Sequence, residues 1–282
     1  MLLKVDKPLV SVEWLKSNLG NENLLIFDCT IPKVTAKSSL SISDKKVQIK
    51  GAVFFDIKNV FSDENAAFPN TVLLPKEFQE KAKELGVNND SCILVYDDLG
   101  IYSAPRVWWM FRLMGFNNIA VLNGGFPQWN LKGYPTEKSE KHQYKMGDFL
   151  SNYKPQKVKF TDDILSAIED ETILITDARS KGRFYATESE PRNDVKGGHI
   201  PNSVSLPFAT ILEKGKMKSE EEVKKIFNGI NPENKEFIFS CGTGITACIL
   251  ALGAKLSGIK SVSVFDGSWT EWGSTKGLPI ND

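Results

Sequence analysis

Cys241 lies in the sequence FSCGTGITACILALG, residues 239–253, between an apolar run and two closely spaced glycines. Residues 236–240 predict a short buried strand, and residues 245–256 have the apolar density and length of a buried helix. The cysteine therefore opens a predicted turn from a strand into a helix. Because a thiolate is the nucleophilic form of cysteine and the N-terminal end of a helix favours negative charge, this position suits a reactive sulfur.

The loop that follows Cys241 is predicted to surround the sulfur with backbone amides. Gly242 and Gly244 allow backbone angles that other residues resist, so the chain can curl around a single point. The amides concerned are those of Gly242, Thr243, Gly244, Ile245, Thr246 and Ala247. A cysteine held in this way is predicted to be a catalytic nucleophile.

The other three cysteines are predicted to be inert. Cys248 lies within the predicted apolar helix, and Cys29 and Cys92 stand beside strand patterns. The four cysteines lack the spacing of zinc ligands, and only His142 and His199 could add imidazole ligands. No metal site is therefore predicted.

The composition indicates two domains and small-molecule partners. The chain has 282 residues, and its 35 Lys and Arg residues balance its 35 Asp and Glu residues. This length suits two domains, and the balanced charge provides no basic field for nucleic acid. No stretch is long and apolar enough to span a membrane, and the first residues do not resemble a signal peptide. With free thiols, these features predict a cytoplasmic protein.

The two halves of the chain form an internal repeat. Residues 94–135 align without gaps, until close to the end, on residues 237–279. Upstream, LLIFDCT pairs with ILITDAR, and QIKGAVFF pairs with HIPNSVSL. In this alignment Cys241 falls opposite Asp98, so only the second half has the thiol. We expect a catalytic second half and a scaffolding first half.

Each half predicts the same α/β architecture. The order strand, loop, strand, helix, strand, helix, strand indicates a mostly parallel sheet flanked by helices. We predict a non-catalytic domain at 1–136, a linker at 137–157 and a catalytic domain at 158–282. The polar segments 33–46 and 186–198 are predicted to be surface loops.

The motif CGTGITA resembles the active-site loop of the 3-mercaptopyruvate sulfurtransferases within the rhodanese family. Ordered matches cover nearly the whole chain and include GAVFFDI, YSAPRVWWMFR, LNGGFPQW, DARSKGRF, TESEPR, GHIPNSVSLPF and DGSWTEW. The resemblance implies two tandem rhodanese-like domains, of which only the second is catalytic. It also implies that Cys241 takes sulfur from 3-mercaptopyruvate as a persulfide, releases pyruvate, and passes the sulfur to a thiol or to cyanide. The expected acceptor is thioredoxin or a small dithiol.

The resemblance also suggests substrate-binding residues. Arg183 and Arg192 match the family's pair that holds the carboxylate and ketone of mercaptopyruvate, and a guanidinium fork pairs naturally with a planar carboxylate. The amides of residues 242–247 can solvate the outer sulfur of a persulfide without a metal or an organic cofactor. Thiosulfate-using relatives typically carry basic residues after the cysteine, whereas Gly242 and Thr243 make this loop neutral.

One family feature is missing from the sequence. Some members carry an aspartate, a histidine and a loop serine that are proposed to form a relay, but Lys58, Val72 and Thr243 stand at these places. The relay cannot operate here as proposed. We expect water or the substrate's own thiol to supply the proton that pyruvate needs, and His199 to form a hydrogen bond in its turn.

Three other functions remain open at this point. A thiosulfate sulfurtransferase would use the same cysteine, although the neutral loop argues against it. A rhodanese-like phosphatase has a longer loop that ends in arginine, whereas this loop runs to Ala247. A non-catalytic interaction module is disfavoured because Cys241 is present.

Overall fold

Two five-stranded sheets organise the chain, and every strand pairing within each of them is parallel. The computed structural model describes residues 2–33, 47–139 and 144–282. The first sheet has the strand order β1-β6-β5-β2-β4, and the second has the order β10-β9-β13-β14-β8. The predicted fold class is therefore confirmed.

The first half of the chain supplies seven strands and four helices in its described part. The strands are β1 (Leu9–Val10), β2 (Leu24–Asp28), β3 (Val47–Ile49), β4 (Ala52–Phe54), β5 (Cys92–Tyr96), β6 (Ile119–Leu122) and β7 (Thr136–Lys138). The helices are α1 (Val12–Asn18), α2 (Pro75–Glu84), α3 (Ala104–Leu113) and α4 (Gly125–Leu131). Strands β3 and β7 pair antiparallel, apart from the main sheet.

The second half repeats this pattern. Its strands are β8 (Val158–Lys159), β9 (Ile173–Asp177), β10 (Val204–Ser205), β11 (Leu212–Glu213), β12 (Lys216–Met217), β13 (Glu236–Ser240) and β14 (Val262–Phe265). The helices are α5 (Thr161–Ala167), α6 (Lys181–Phe184), α7 (Glu220–Ile230), α8 (Ala247–Leu256) and α9 (Ser268–Ser274), with short 3₁₀ helices at Pro155–Lys157 and Phe208–Ile211.

Burial explains why these segments form these elements. All five residues of β5 are buried, as expected for a central strand of a parallel sheet whose two faces are covered by helices. Helix α8 is apolar on nearly every side and buries eight of its ten residues. Helix α7 begins at a capping box in which Ser219 and Glu222 satisfy each other's backbone amides. None of the helices in the described residues is long and apolar enough to cross a membrane.

The chain separates into two compact units. The first comprises Met1–Asp63, Val72–Lys154 and Lys214–Met217. The second comprises Glu64–Thr71, Pro155–Glu213 and Lys218–Asp282.

The described residues of the predicted linker, 137–157, divide between the two units, because those up to Lys154 belong to the first unit and Pro155–Lys157 belong to the second. Phe149 is buried against Phe78 and Phe111, and its amide donates to the carbonyl of Val87. The second predicted loop, residues 186–198, contains no helix or strand. The first predicted loop lies outside the described residues except for Lys33, and His142 also lies outside them.

The structure corrects the residue that corresponds to Cys241 in the first unit. Asp28 pairs with Tyr96, and its counterpart Asp177 pairs with Ser240. The next residues, Asp97 and Cys241, are therefore equivalent. The predicted partner, Asp98, is wrong by one residue because the loop between strand and helix has seven residues in the first unit and six in the second.

Candidate active site

Cys241 directly follows β13 and is buried, with 1% of its surface exposed. The predicted strand 236–240 matches β13, whereas α8 begins at Ala247, two residues later than predicted. Gly244 has φ +74°, a left-handed conformation that favours glycine, and this turn delays the start of the helix. The loop that carries the thiol is thus residues 241–246.

Ser268, at the start of α9, binds the backbone of this loop through its hydroxyl. Its Oγ accepts hydrogen bonds from the amides of Cys241 at 3.1 Å and Gly244 at 3.2 Å, and it donates to the carbonyl of Phe265 at 2.8 Å. Ser268 is fully buried and has φ +51°, an uncommon conformation for a residue with a side chain. The strained backbone is held by the bonds that its hydroxyl makes. Sequence reasoning missed this residue.

Two further amides of α9 complete the attachment. Trp269 donates to the carbonyl of Cys241, and Thr270 donates to the carbonyl of Gly242, each at 2.9 Å. The helix start therefore fixes the backbone of the two residues at the centre of the predicted chemistry.

The loop amides fall into two groups. The Gly244 amide donates to Ser268, so it is not reserved for the sulfur as predicted. No described residue accepts a hydrogen bond from the five other amides, those of Gly242, Thr243, Ile245, Thr246 and Ala247. These five are available to a negatively charged sulfur bound to Cys241.

Arg183 lies against the loop. A Cβ added to Gly242 would lie 3.2 Å from Nη2 and 3.8 Å from Nη1 of Arg183. The guanidinium therefore occupies the space into which a side chain at position 242 would project. Burial lowers the pKa of Arg183, but the hydrogen bonds and charge of Glu190, with smaller contributions from Cys241 and Asp177, raise it overall.

Glu190 joins Arg183 to a buried ion-pair chain. Its carboxylate pairs with Nη2 of Arg183 at 2.5 Å and with Nη1 of Arg179 at 2.7 Å. Arg179 also pairs with Asp177 at 2.7 Å and stacks on Trp269 at 4.3 Å from the ring centroid. These contacts, with a hydrogen bond to the carbonyl of Gly198, occupy the Arg179 guanidinium.

Arg192 reaches the same helix start. Its Nη1 donates to Oγ1 of Thr270 at 3.3 Å, and the amide of Thr270 in turn binds the carbonyl of Gly242. The structure thus places Arg183 beside Gly242 and links Arg192 to the Gly242 carbonyl through Thr270.

The remaining residues discussed from the sequence lie elsewhere in the two units. His199 stacks on Phe184 at 3.9 Å, and its Nδ1 lies 3.0 Å from the Phe184 carbonyl, which agrees with a hydrogen-bonding role. Cys248 is the second residue of α8 and is buried, and its thiol lies 3.2 Å from the carbonyl of Gly244. Burial raises the pKa of Cys92 to about 11.

A sequence model of the rhodanese-like domain matches residues 11–132 and 160–275. The 3-mercaptopyruvate sulfurtransferase of Mus musculus is 36% identical over 276 residues, which cover 94% of this chain and 92% of the mouse protein. The thiosulfate sulfurtransferase of Bos taurus is 39% identical over 233 residues, which cover 79% of this chain and 76% of the bovine protein.

A solved structure shows the same fold at high similarity. The crystal structure of a 3-mercaptopyruvate sulfotransferase from Escherichia coli superimposes with a TM-score of 0.83 at 30% identity, covering 93% of this chain and 99% of the other. The chain belongs to the rhodanese family, with two rhodanese domains.

Proposed function

We propose that this protein is a sulfurtransferase that moves sulfur from 3-mercaptopyruvate to a thiol through a persulfide on Cys241. The observation that carries the proposal is the Arg183 guanidinium against Gly242, beside five loop amides that no described residue engages. A cation for the donor's carboxylate and a set of donors for an anionic sulfur thus adjoin one thiol. The proposal makes the second unit catalytic and the first unit non-catalytic.

In the first half-reaction, the Cys241 thiolate attacks the sulfur of 3-mercaptopyruvate. A sulfur–sulfur bond forms, the carbon–sulfur bond breaks, and its electron pair goes to carbon as the enolate of pyruvate. The proton of the donor's thiol, passed directly or through water, converts the enolate into pyruvate, so no further acid is consumed. This assignment fits a chain that has Lys58 and Val72 at the family's relay positions.

In the second half-reaction, a thiol attacks the outer sulfur of the persulfide. The acceptor leaves as its own persulfide, and Cys241 returns to the thiolate. Cyanide would react at the same sulfur and leave as thiocyanate. A dithiol such as that of thioredoxin is the proposed acceptor, because its second thiol can release the sulfur as hydrogen sulfide and form a disulfide.

The arginines would bind the donor before the chemistry. Arg183 lies beside Gly242, and Arg192 binds Thr270, whose amide binds the Gly242 carbonyl, so the two arginines can hold the carboxylate and the ketone while the donor's sulfur lies over Cys241. Correct placement of the two sulfur atoms converts a bimolecular encounter into a positioned reaction.

Thiosulfate is the second candidate donor, because the bovine relative that is named a thiosulfate sulfurtransferase has 39% identity with this chain. Incubation with each donor, followed by intact mass spectrometry, separates the two. We expect 3-mercaptopyruvate to add the mass of one sulfur atom to the wild type and none to Cys241→Ser, and dithiothreitol to remove it. Preferential loading by thiosulfate, or loading of the serine variant, would contradict the proposal.

The compartment is proposed from the thiols. All four cysteines are free, which suits a reducing compartment such as the cytoplasm. A relative from Arabidopsis thaliana with 35% identity is named mitochondrial, so the test is the location of a tagged protein in fractionated cells.

A further inference from the structure

Glu190 has no role in the chemistry described above, yet its contacts determine how Arg183 is presented. Its side chain is only 5% exposed. Its two oxygens accept from Nε of Arg183 at 3.1 and 3.2 Å, and Oε2 also accepts from Nη2 at 2.5 Å. One whole edge of the guanidinium is therefore occupied by this carboxylate.

The remaining nitrogen of Arg183 is left for a ligand. No described residue forms a hydrogen bond with Nη1, which lies 3.8 Å from the position of a Cβ added to Gly242. Because Glu190 is itself held by Arg179, the guanidinium cannot rotate freely to offer its other edge. Nη1 therefore stays near Gly242, although Nη2, which binds Glu190, lies closer to the same position at 3.2 Å.

The ion-pair chain that contains Glu190 also determines the net charge beside the Cys241 loop. Asp177, Arg179, Glu190 and Arg183 form one ion-pair chain with two negative and two positive groups. Arg192 contacts Thr270, and no described carboxylate pairs with it. Arg192 is therefore the guanidinium of these groups that is left for a donor with one carboxylate. The group as a whole has a net charge of one, which the Cys241 thiolate offsets, so it gives little attraction to a dianion.

We propose that Glu190 is the positioning residue that sets donor selectivity, because it holds the Arg183 guanidinium beside Gly242 with Nη1 left for a ligand and cancels one positive charge that would favour a dianion. The inference rests on the proposed function and deepens it. A monoanionic 2-oxo acid thiol is accepted, and the inorganic dianion thiosulfate is rejected.

Glu190→Gln is the decisive variant, measured by steady-state kinetics with both donors. We expect kcat/KM to fall with 3-mercaptopyruvate and to rise with thiosulfate, so that their ratio falls by about tenfold or more. Thiosulfate use by the variant should also weaken as salt is added, because dissolved ions screen the attraction between the dianion and the arginine. If Glu190 had a purely structural role, kcat/KM would fall with both donors together, and that result would overturn the proposal.

Glu188→Gln is the matched control. Glu188 lies two residues away in the same loop, is exposed, and contacts Ser180 at 2.6 Å rather than an arginine. The selectivity ratio of this variant should stay within about twofold of the wild type. An equal change in both glutamine variants would overturn the proposal.

Glu190→Asp separates charge from position and decides the question if Glu190→Gln does not fold. The aspartate keeps the negative charge but is shorter, so it should weaken 3-mercaptopyruvate use without improving thiosulfate use. Improved thiosulfate use, or unchanged use of both donors, would overturn the proposal. Loading of the wild type by 3-mercaptopyruvate, seen by mass, tests the proposed function separately.

Discussion

The loops that follow β5 and β13 are equivalent in the two units, but they hold different groups. In the first unit, the carboxylate of Asp97 lies where the second unit has the thiol of Cys241. It accepts hydrogen bonds of 2.8–3.0 Å from four loop amides, those of Leu99, Tyr102, Ser103 and Ala104. The counterparts of the last three, Ile245, Thr246 and Ala247, have no acceptor among the described residues.

The difference shows what this loop does. Its amides converge on an acceptor at the first loop position, and the first unit supplies that acceptor permanently from its own chain. The second unit has a thiol in place of the carboxylate, so its loop amides can bind a group that is attached to the thiol. One fold therefore provides either a self-filled loop or a loop that is open to a reaction.

The helix start that contacts each loop, that of α4 in the first unit and that of α9 in the second, also differs. Gly125 has φ +52° and Ser268 has φ +51°, so the first residue of each helix is left-handed, although the preceding glycines differ, with φ +88° at Gly124 and −69° at Gly267. In the first unit, a side chain at position 125 would collide with the carbonyl of Asp97. In the second unit, the Ser268 hydroxyl binds two loop amides instead. The Cys241 loop is thus bound by a hydroxyl from another element, Ser268, whereas the amides of the first loop are bound by its own Asp97 carboxylate.

The largest effect is expected from Cys241→Asp, which gives the second loop the group that the first contains. We expect the variant to take up no sulfur from 3-mercaptopyruvate, because it has no nucleophilic thiol, and to unfold at a higher temperature than Cys241→Ala. The measurements are intact mass and thermal unfolding. An aspartate variant less stable than the alanine variant would break the equivalence of the two loops.

Asp97→Ala tests the filled loop. Removing the carboxylate leaves four buried amides without an acceptor, so the free energy of unfolding should fall by about 3 kcal/mol in urea titrations. Asp98→Ala, the neighbouring change, should cost less than about 1 kcal/mol. A larger loss of stability in Asp98→Ala than in Asp97→Ala would instead support the alignment of Cys241 with Asp98.

Ser268→Gly and Ser268→Ala separate the strain of the turn from its hydrogen bonds. Both should lower kcat/KM with 3-mercaptopyruvate by about tenfold, because the Cys241 and Gly244 amides lose their acceptor. Alanine should also be less stable than glycine by about 1 kcal/mol, since only glycine adopts φ +51° without cost. Equal stability of the two variants would mean that the turn relaxes when the hydroxyl is lost.

The smallest effect concerns Cys92, whose counterpart in the second unit is Glu236. Burial raises the pKa of Cys92 from 9.0 to about 11, so the folded state disfavours the thiolate. Its contribution to stability is complete below pH 9 and is lost as the pH rises towards 11, by about 1 kcal/mol at pH 10. The difference in unfolding free energy between wild type and Cys92→Ala should shrink over this range. A constant difference would show that Cys92 ionises alike in both states.

The sequence predicted the elements around the site well because their signals are local. The apolar run at 236–240 and the glycine-rich turn placed β13 and the loop correctly. The start of α8 was misjudged because Ile245 and Thr246 are apolar or neutral enough to extend the helix pattern, whereas Gly244 turns the backbone. Patterns of side chains do not report such a turn.

The errors at the site have a common origin in backbone conformation and long-range contacts. The extra residue in the first loop is invisible because α3, β6 and α4 share one offset with their counterparts, and only β5 differs. In the alignment of the two halves Ser268 corresponds to Gly125, and this match to a glycine was the available signal for a left-handed conformation. Glu190 gave no signal, because its importance depends on Arg179 and Arg183 meeting it in three dimensions.

The seven-residue loop of the first unit has a consequence for the evolution of the protein. A substitution of Asp97 by cysteine would restore a thiol but leave one residue too many before α3, and a deletion alone would leave the carboxylate in place. Neither single mutation rebuilds the shorter loop of the second unit with its sulfur. Under the proposed function, a second active site in the first unit would need both changes, so no single mutation gives the two halves equivalent thiol loops.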